Sequence, residues 1–99
     1  EHAPMITYLR PGKLEVIEEE KKEKLSYFVR GGFVKVAENK CLIMVDYIKN
    51  IKDIDIISNK NEISLLQTKL DKEVNDRAKE DISDSIEMLE IEVSCFKEN

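Results

Sequence analysis

Apolar and polar positions alternate in short runs through the first half of the chain and recur at spacings of three and four through the second. Met5, Ile6, Tyr8 and Leu9 follow Pro4 as an apolar run and predict a strand. Arg10-Pro11-Gly12-Lys13 fits a type II turn, with Pro presetting φ at the second position and Gly taking positive φ at the third. Leu14 and Val16 share a face opposite Glu15, so a half-buried strand continues to Ile17. Residues 18–24 are all charged and read as a solvated hairpin tip. Leu25, Tyr27 and Val29 then alternate with Ser26, Phe28 and Arg30. The second set is not purely polar, so both faces of this strand are expected to be partly covered, as in a sandwich. Phe33 to Val36 and Cys41 to Val45 form a hairpin over Glu38-Asn39-Lys40. Gly31-Gly32 breaks the run before it. A phosphate cradle there would need a following Lys-Ser/Thr, which is missing, so a bulge or sharp bend is expected.

After Asp46 the period changes, and no Gly or Pro occurs from Phe33 onward. Asp53 or Asp55 can cap a helix, with Asn59-x-x-Glu62 as a competing, later start. Ile56, Ile63, Leu66, Leu70 and Val74 repeat at helical spacing. Ala78, Ile82, Ile86, Leu89, Val93 and Phe96 do the same, with acids on the other sides. Between the two sets, residues 71–76 are polar and can turn the chain into a hairpin. Equally, the spacing runs unbroken from Ile63 to Phe96, as one long helix would. Local chemistry leaves both open.

The 99 residues make one domain, or a small domain with an appendage. Hydrophobic residues are 41% and charged residues 37%, which places the chain above the disorder regime. A net charge of −5 argues against nucleic acid or an anionic membrane as main partner. No apolar run approaches the roughly 20 residues of a membrane span, and the opening Glu-His-Ala-Pro lacks signal-peptide character. Two cysteines, Cys41 and Cys95, are too few for a disulfide scaffold or a zinc site and are expected as reduced apolar fillers. His2 is the only histidine, so no His-paired triad or His-His metal site arises. The carboxylates are spread as solvating charge, and no serine has a Gly-x-Ser-x-Gly setting. No catalytic residue, metal site or cofactor is expected, and a small enzyme is disfavoured.

The order Phe-Val-x-Gly-Gly-Phe-Val-x-Val, a turn with Asn, an apolar strand ending in Asp, then Ile-Asp opening a helical region resembles the ε subunit of bacterial F-type ATP synthase. Upstream, His2-Ala3-Pro4 followed by an apolar strand and Pro11-Gly12 is similar to the same family. The resemblance implies an α+β fold: an incomplete antiparallel β-sandwich over residues 1–47, then an antiparallel two-helix hairpin over residues 48–99. It also implies that the family's opening strands are absent from this chain, which begins in the loop before His2-Ala3-Pro4. A hairpin is the expected form of the helices, since a single long helix would leave its seam exposed.

As implied function, the chain would be a non-catalytic rotor subunit of the central stalk. It would hold the γ subunit, rest on the ring of c subunits, and couple proton flow to ATP synthesis. It would sit peripherally on the cytoplasmic face of the bacterial inner membrane. Contacts are expected around His2, Pro4, Arg10 and the Gly31-Gly32-Phe33 bend, with the α or β subunits within reach of the helices. Some family members bind ATP through Ile/Leu-Asp-x-x-Arg-Ala. Here Ile54-Asp55-Ile56-Ile57-Ser58-Asn59 keeps Asp55 but has Ser58 and Asn59 for Arg and Ala, and Lys49 where those versions have an acid. Without the arginine's charge-assisted bonds, tight ATP binding is not expected, and Asp55 is expected to start a helix. Where the family's second helix brakes ATP hydrolysis it is basic. Here it carries Glu80, Asp81, Asp84, Glu87, Glu90 and Glu92 against Arg77, Lys79 and Lys97, so weak or absent inhibition is expected. The alternative is a free-standing adaptor that binds a partner helix through the apolar seam of its hairpin.

Overall fold

The computed structural model describes residues 4–97 of the 99. Among them are six strands: β1 Met5–Leu9, β2 Gly12–Glu18, β3 Glu23–Val29, β4 Gly32–Ala37, β5 Lys40–Val45 and β6 Ile48–Asn50. A 3-10 turn at Ile51–Asp53 leads to two helices, α1 Ile56–Lys72 and α2 Asp76–Lys97. The chain divides into two compact units between Asn50 and Ile51. The fold is α+β: two antiparallel three-stranded sheets form a partial sandwich, and a helical hairpin follows.

In the first sheet β4 lies between β1 and β5; in the second β3 lies between β2 and β6. Strands β1 and β2, neighbours in sequence, therefore belong to different sheets. The type II turn expected at Arg10-Pro11-Gly12-Lys13 does not form. Gly12 is already in β2, paired with Val29, and its φ of +159° is far from the roughly +80° that turn requires. Turn chemistry is local, but the partner of β2 is decided by its long register with β3, from Gly12↔Val29 to Glu18↔Glu23. Pro11 has no N–H to give a ladder, and the chain crosses there to the other sheet.

Two further crossings follow, β3 to β4 at Arg30-Gly31 and β5 to β6 at Asp46-Tyr47. All three lie at one end. Leu9, Gly32 and Val45 are in register in the first sheet, and Gly12, Val29 and Ile48 in the second. The opposite end carries the hairpin turns. Residues 19–22 form the charged tip, as expected, with Lys22 at φ +53°. Glu38 and Asn39 both have positive φ, as a two-residue type I′ turn demands. Phe28 is fully buried and Val29 nearly so. They point to opposite faces of β3, so this strand is covered on both sides, as its alternation predicts.

The helices separate at residues 73–75. Glu73 closes α1, its N–H donating to the Leu70 carbonyl (3.2 Å). Its carboxylate oxygen then accepts from the amides of Val74 (3.0 Å) and Asn75 (3.4 Å). Asn75 caps α2, its side-chain oxygen accepting from the Ala78 amide at 2.9 Å. Val74, expected in the α1 seam, is instead exposed in this turn. At the start of α1, Asp55 is the cap, its Oδ1 accepting from the Ser58 amide at 3.0 Å. Asp53 belongs to the preceding 3-10 turn, and Asn59 is buried inside the helix. The seam of α2 buries Ile82, Ile86 and Val93, while Phe96 is partly exposed. Glu92 and Cys95 are buried as well. Cys95 thus fills a core as expected; Cys41 does not, being exposed on edge strand β5.

Candidate interaction surface

The three crossings converge around Gly31. Its carbonyl accepts from the Asp46 amide (3.0 Å), and the Arg30 amide donates to the Tyr47 carbonyl (3.2 Å). A side chain built on Gly31 would lie 3.4 Å from Asp46 Oδ2 and 3.6 Å from the Leu9 carbonyl oxygen, so all three corners meet here. Gly32 is tighter. At φ +143° a Cβ would overlap the Met44 carbonyl oxygen and approach Val45 Cα to 2.8 Å. Glycine is therefore required by contact and by backbone geometry together. The Arg30 guanidinium sits 4.2 Å from the centre of the Tyr47 ring, and Tyr47 meets Phe28 edge-on at 6.3 Å. The bend expected at Gly31-Gly32 is this corner.

The outer strands of the first sheet, β1 and β5, expose apolar side chains on both faces, while Phe33 and Val34 of the central strand are half-buried. Directly paired residues share a face in an antiparallel sheet. Tyr8, Phe33 and Met44 therefore form one row and Ile6, Lys35 and Leu42 the next. Of these, Tyr8 is 80% exposed, and Ile6, Leu42 and Met44 are exposed too. The other face exposes Met5, Val36 and Ile43. Scattered apolar residues on a surface mean little, but on this sheet they adjoin one another on both faces, which makes it the candidate interaction surface among the described residues.

The expected contact residues divide accordingly. Arg10, Gly31, Gly32 and Phe33 gather at the crossing end. Pro4 precedes β1 at the opposite end, where Met5 pairs with Val36. His2 lies outside the described residues. Sequence reasoning missed Tyr8, Leu42 and Met44 as surface and the Arg30–Tyr47 contact. The rows were recoverable once strand register was known; the Arg30–Tyr47 contact joins residues on different strand ends and has no local signature.

Elsewhere the chemistry is that of a solvated surface. Glu15 takes an ion pair from Lys24 at 2.6 Å and a longer one from Lys13 at 3.9 Å. The hydrogen bond from Lys24 holds its carboxyl below the usual range, with both lysines' charges adding and desolvation opposing. A depression of about 230 Å3 near the β4–β5 turn is lined by Lys35, Ala37, Glu38, Lys40 and Leu42. Among the described residues no group of three or more His, Cys, Asp or Glu could hold a metal ion. In the segment resembling an ATP motif, Asp55 is engaged as the α1 cap. On α2, Glu80, Asp81, Asp84, Glu87 and Glu90 are exposed, whereas Glu92 is only 2% exposed and is withdrawn from that acidic surface. No helix among the described residues is long and apolar enough to cross a membrane.

Residues 1–51, the strand-rich half, match the family model described as the ATP synthase, delta/epsilon chain, β-sandwich domain. The chain belongs to this ATP synthase delta/epsilon family. Within it, the relatives are epsilon chains. An ATP synthase epsilon chain of Parvibaculum lavamentivorans is 35% identical over 81% of this chain and 57% of its own length. One from Myxococcus xanthus is 33% identical over 70% of this chain and 49% of its own. The sodium-ion-specific epsilon chain of Propionigenium modestum is 30% identical over 78% and 55%. The chain thus spans about half the length of these curated relatives. A chain in the cryo-EM structure of Euglena gracilis mitochondrial ATP synthase, OSCP/F1/c-ring in rotational state 1, shares the fold. It superposes with a TM-score of 0.71 at 23% identity, covering 90% of this chain and 55% of that one.

Proposed function

We propose that this chain acts as a non-catalytic rotor subunit in the central stalk of a proton-translocating F-type ATP synthase, peripheral to the cytoplasmic face of a bacterial membrane. The sandwich would grip the γ subunit and rest on the c ring, and the helices would reach toward α and β subunits. The observation that carries the reading is the first sheet: apolar side chains of β1 and β5 exposed on both faces, beside an end where three chain crossings meet, in a member of this family. A packed sheet transmits strain with little yielding, which suits a torque-bearing part. The adaptor alternative needs the α2 seam free for a partner helix, but Ile82, Ile86 and Val93 are buried. The test is purification of the membrane ATPase from cells that carry a tagged copy. The chain is expected to follow the γ subunit and c ring through stalk dissociation. Recovery as a soluble species independent of the ATPase would refute the proposal.

A further inference from the structure

Among the described residues the two sheets end on β1, β5, β2 and β6, and all of these edges but one carry a device that discourages a further strand. β2 has Lys13, Glu15 and Glu18 along its length, β6 is 3 residues long and includes Lys49, and β1 runs between Pro4 and Pro11. β5 has no such device. Between Lys40 and Asp46 it reads Cys-Leu-Ile-Met-Val, without charge or proline, in unbroken register with β4. The tight turn makes Ala37 and Lys40 a hydrogen-bonded pair, so Leu42 and Met44 also bond toward β4. The N–H and C=O groups of Cys41, Ile43 and Val45 therefore point outward along the open edge. Leu42, Ile43 and Met44 are exposed.

We infer that a second copy of this chain adds across this edge, β5 against β5, about a two-fold axis at Ile43. Successive side chains alternate between faces, so antiparallel self-pairing keeps partners on one face when a residue lies on the axis. With Ile43 there, Cys41 faces Val45 of the second copy and Leu42 faces its Met44, apolar against apolar. One step further out, Lys40 faces Asp46 of the second copy. Both are exposed, and neither side chain has an ion pair among the described residues, so each end of the pairing brings opposite charges together. An axis at Leu42 would set Asp46 against Glu38, and one at Met44 would set Leu42 against Asp46, so charge selects Ile43. The outward donors and acceptors of each copy then meet those of the other, and the two first sheets join into one. The inference concerns the free chain and does not depend on the rotor reading.

Sedimentation of the full chain between about 1 and 100 µM tests it, and should show a concentration-dependent dimer of the strength expected for a small interface. Ile43→Lys puts like charges on the axis and should leave the chain monomeric, with the amides of β2 and β3 unchanged. Lys40→Asp and Asp46→Lys should each weaken the dimer about tenfold, and the double variant should return it to within about twofold of the parent. Damage to the fold would accumulate in the double variant, so that recovery reports on the facing charges. A chain monomeric throughout the range would overturn the inference and leave the edge to a strand of another protein. A dimer that survives Ile43→Lys, or a double variant no stronger than its singles, would overturn it too. So would growth beyond the dimer, because a closed pair has no free β5 edge.

Discussion

Gly32 shows how one missing Cβ can decide a corner. Any larger residue must displace the Met44 carbonyl and adopt a φ of +143°. Gly32→Ala should therefore destabilise the sandwich by about 3 kcal/mol. Gly31→Ala bears the backbone strain but meets only ordinary contacts, and should lose about 1–2 kcal/mol. Urea unfolding followed on the strand amides ranks the two, and equal losses would contradict this account. Glu15 supplies a test of charge. Its folded pKa is depressed, so its contribution is fully present above the unfolded carboxylate value and is lost as pH falls through the lower folded one. Lys24→Met removes the 2.6 Å partner and should move the Glu15 titration upward toward the ordinary range, as read by NMR of its side-chain carboxyl. Both glycines were readable in the sequence as a bend. That Gly32 is the tighter was not, because its constraint comes from Met44 on a different strand.

The helical elements are set by side chains at their ends. Asp55 and Asn75 each satisfy an amide that the first turn leaves unpaired, at 3.0 and 2.9 Å. Asp55→Ala and Asn75→Ala should each cost the helical unit about 1 kcal/mol. The two caps lie at opposite ends of the hairpin, so the double variant should lose close to the sum. Thermal unfolding monitored on helix amides measures both; strong non-additivity would mean the caps are coupled. Sequence offered Asp53, Asp55 and Asn59 as starts for α1 with no local basis for choosing. The choice follows from the 3-10 turn that takes up Asp53, and from the burial of Asn59 within α1. The break at 73–75 was likewise one of two open options. Glu73, whose side chain turns back onto the amides of Val74 and Asn75, resolves it. Strand β6 was not foreseen at all. Ile48–Asn50 has no alternation to show, and it becomes a strand only by pairing with the far half of β3.

At the scale of the whole molecule, the order of strands first and two helices after was legible from the change of apolar period, though strand structure runs past Asp46 to Asn50. The sorting of strands into sheets was not. Adjacent β1 and β2 look like a hairpin in sequence, and only the long β2–β3 register shows otherwise. On the rotor reading, the exposed acids of α2 carry a consequence for regulation. Glu80, Asp81, Asp84, Glu87 and Glu90 would repel an acidic face of a catalytic subunit. Adding the chain to a reconstituted ATPase lacking it should change the hydrolysis rate less than about twofold, since repulsion disfavours the braking contact. Inhibition of several-fold would show that the helices engage despite their charge.

The placement of the three crossings resembles a book sewn along its spine. Covalent chain ties the two covers together at Arg10-Pro11, Arg30-Gly31 and Asp46-Tyr47, while at the fore-edge each cover simply folds back on itself. Such a body resists twisting where it is stitched and gapes where it is not. A load applied at the spine passes into both covers at once; the same load at the charged tip would spread the pages.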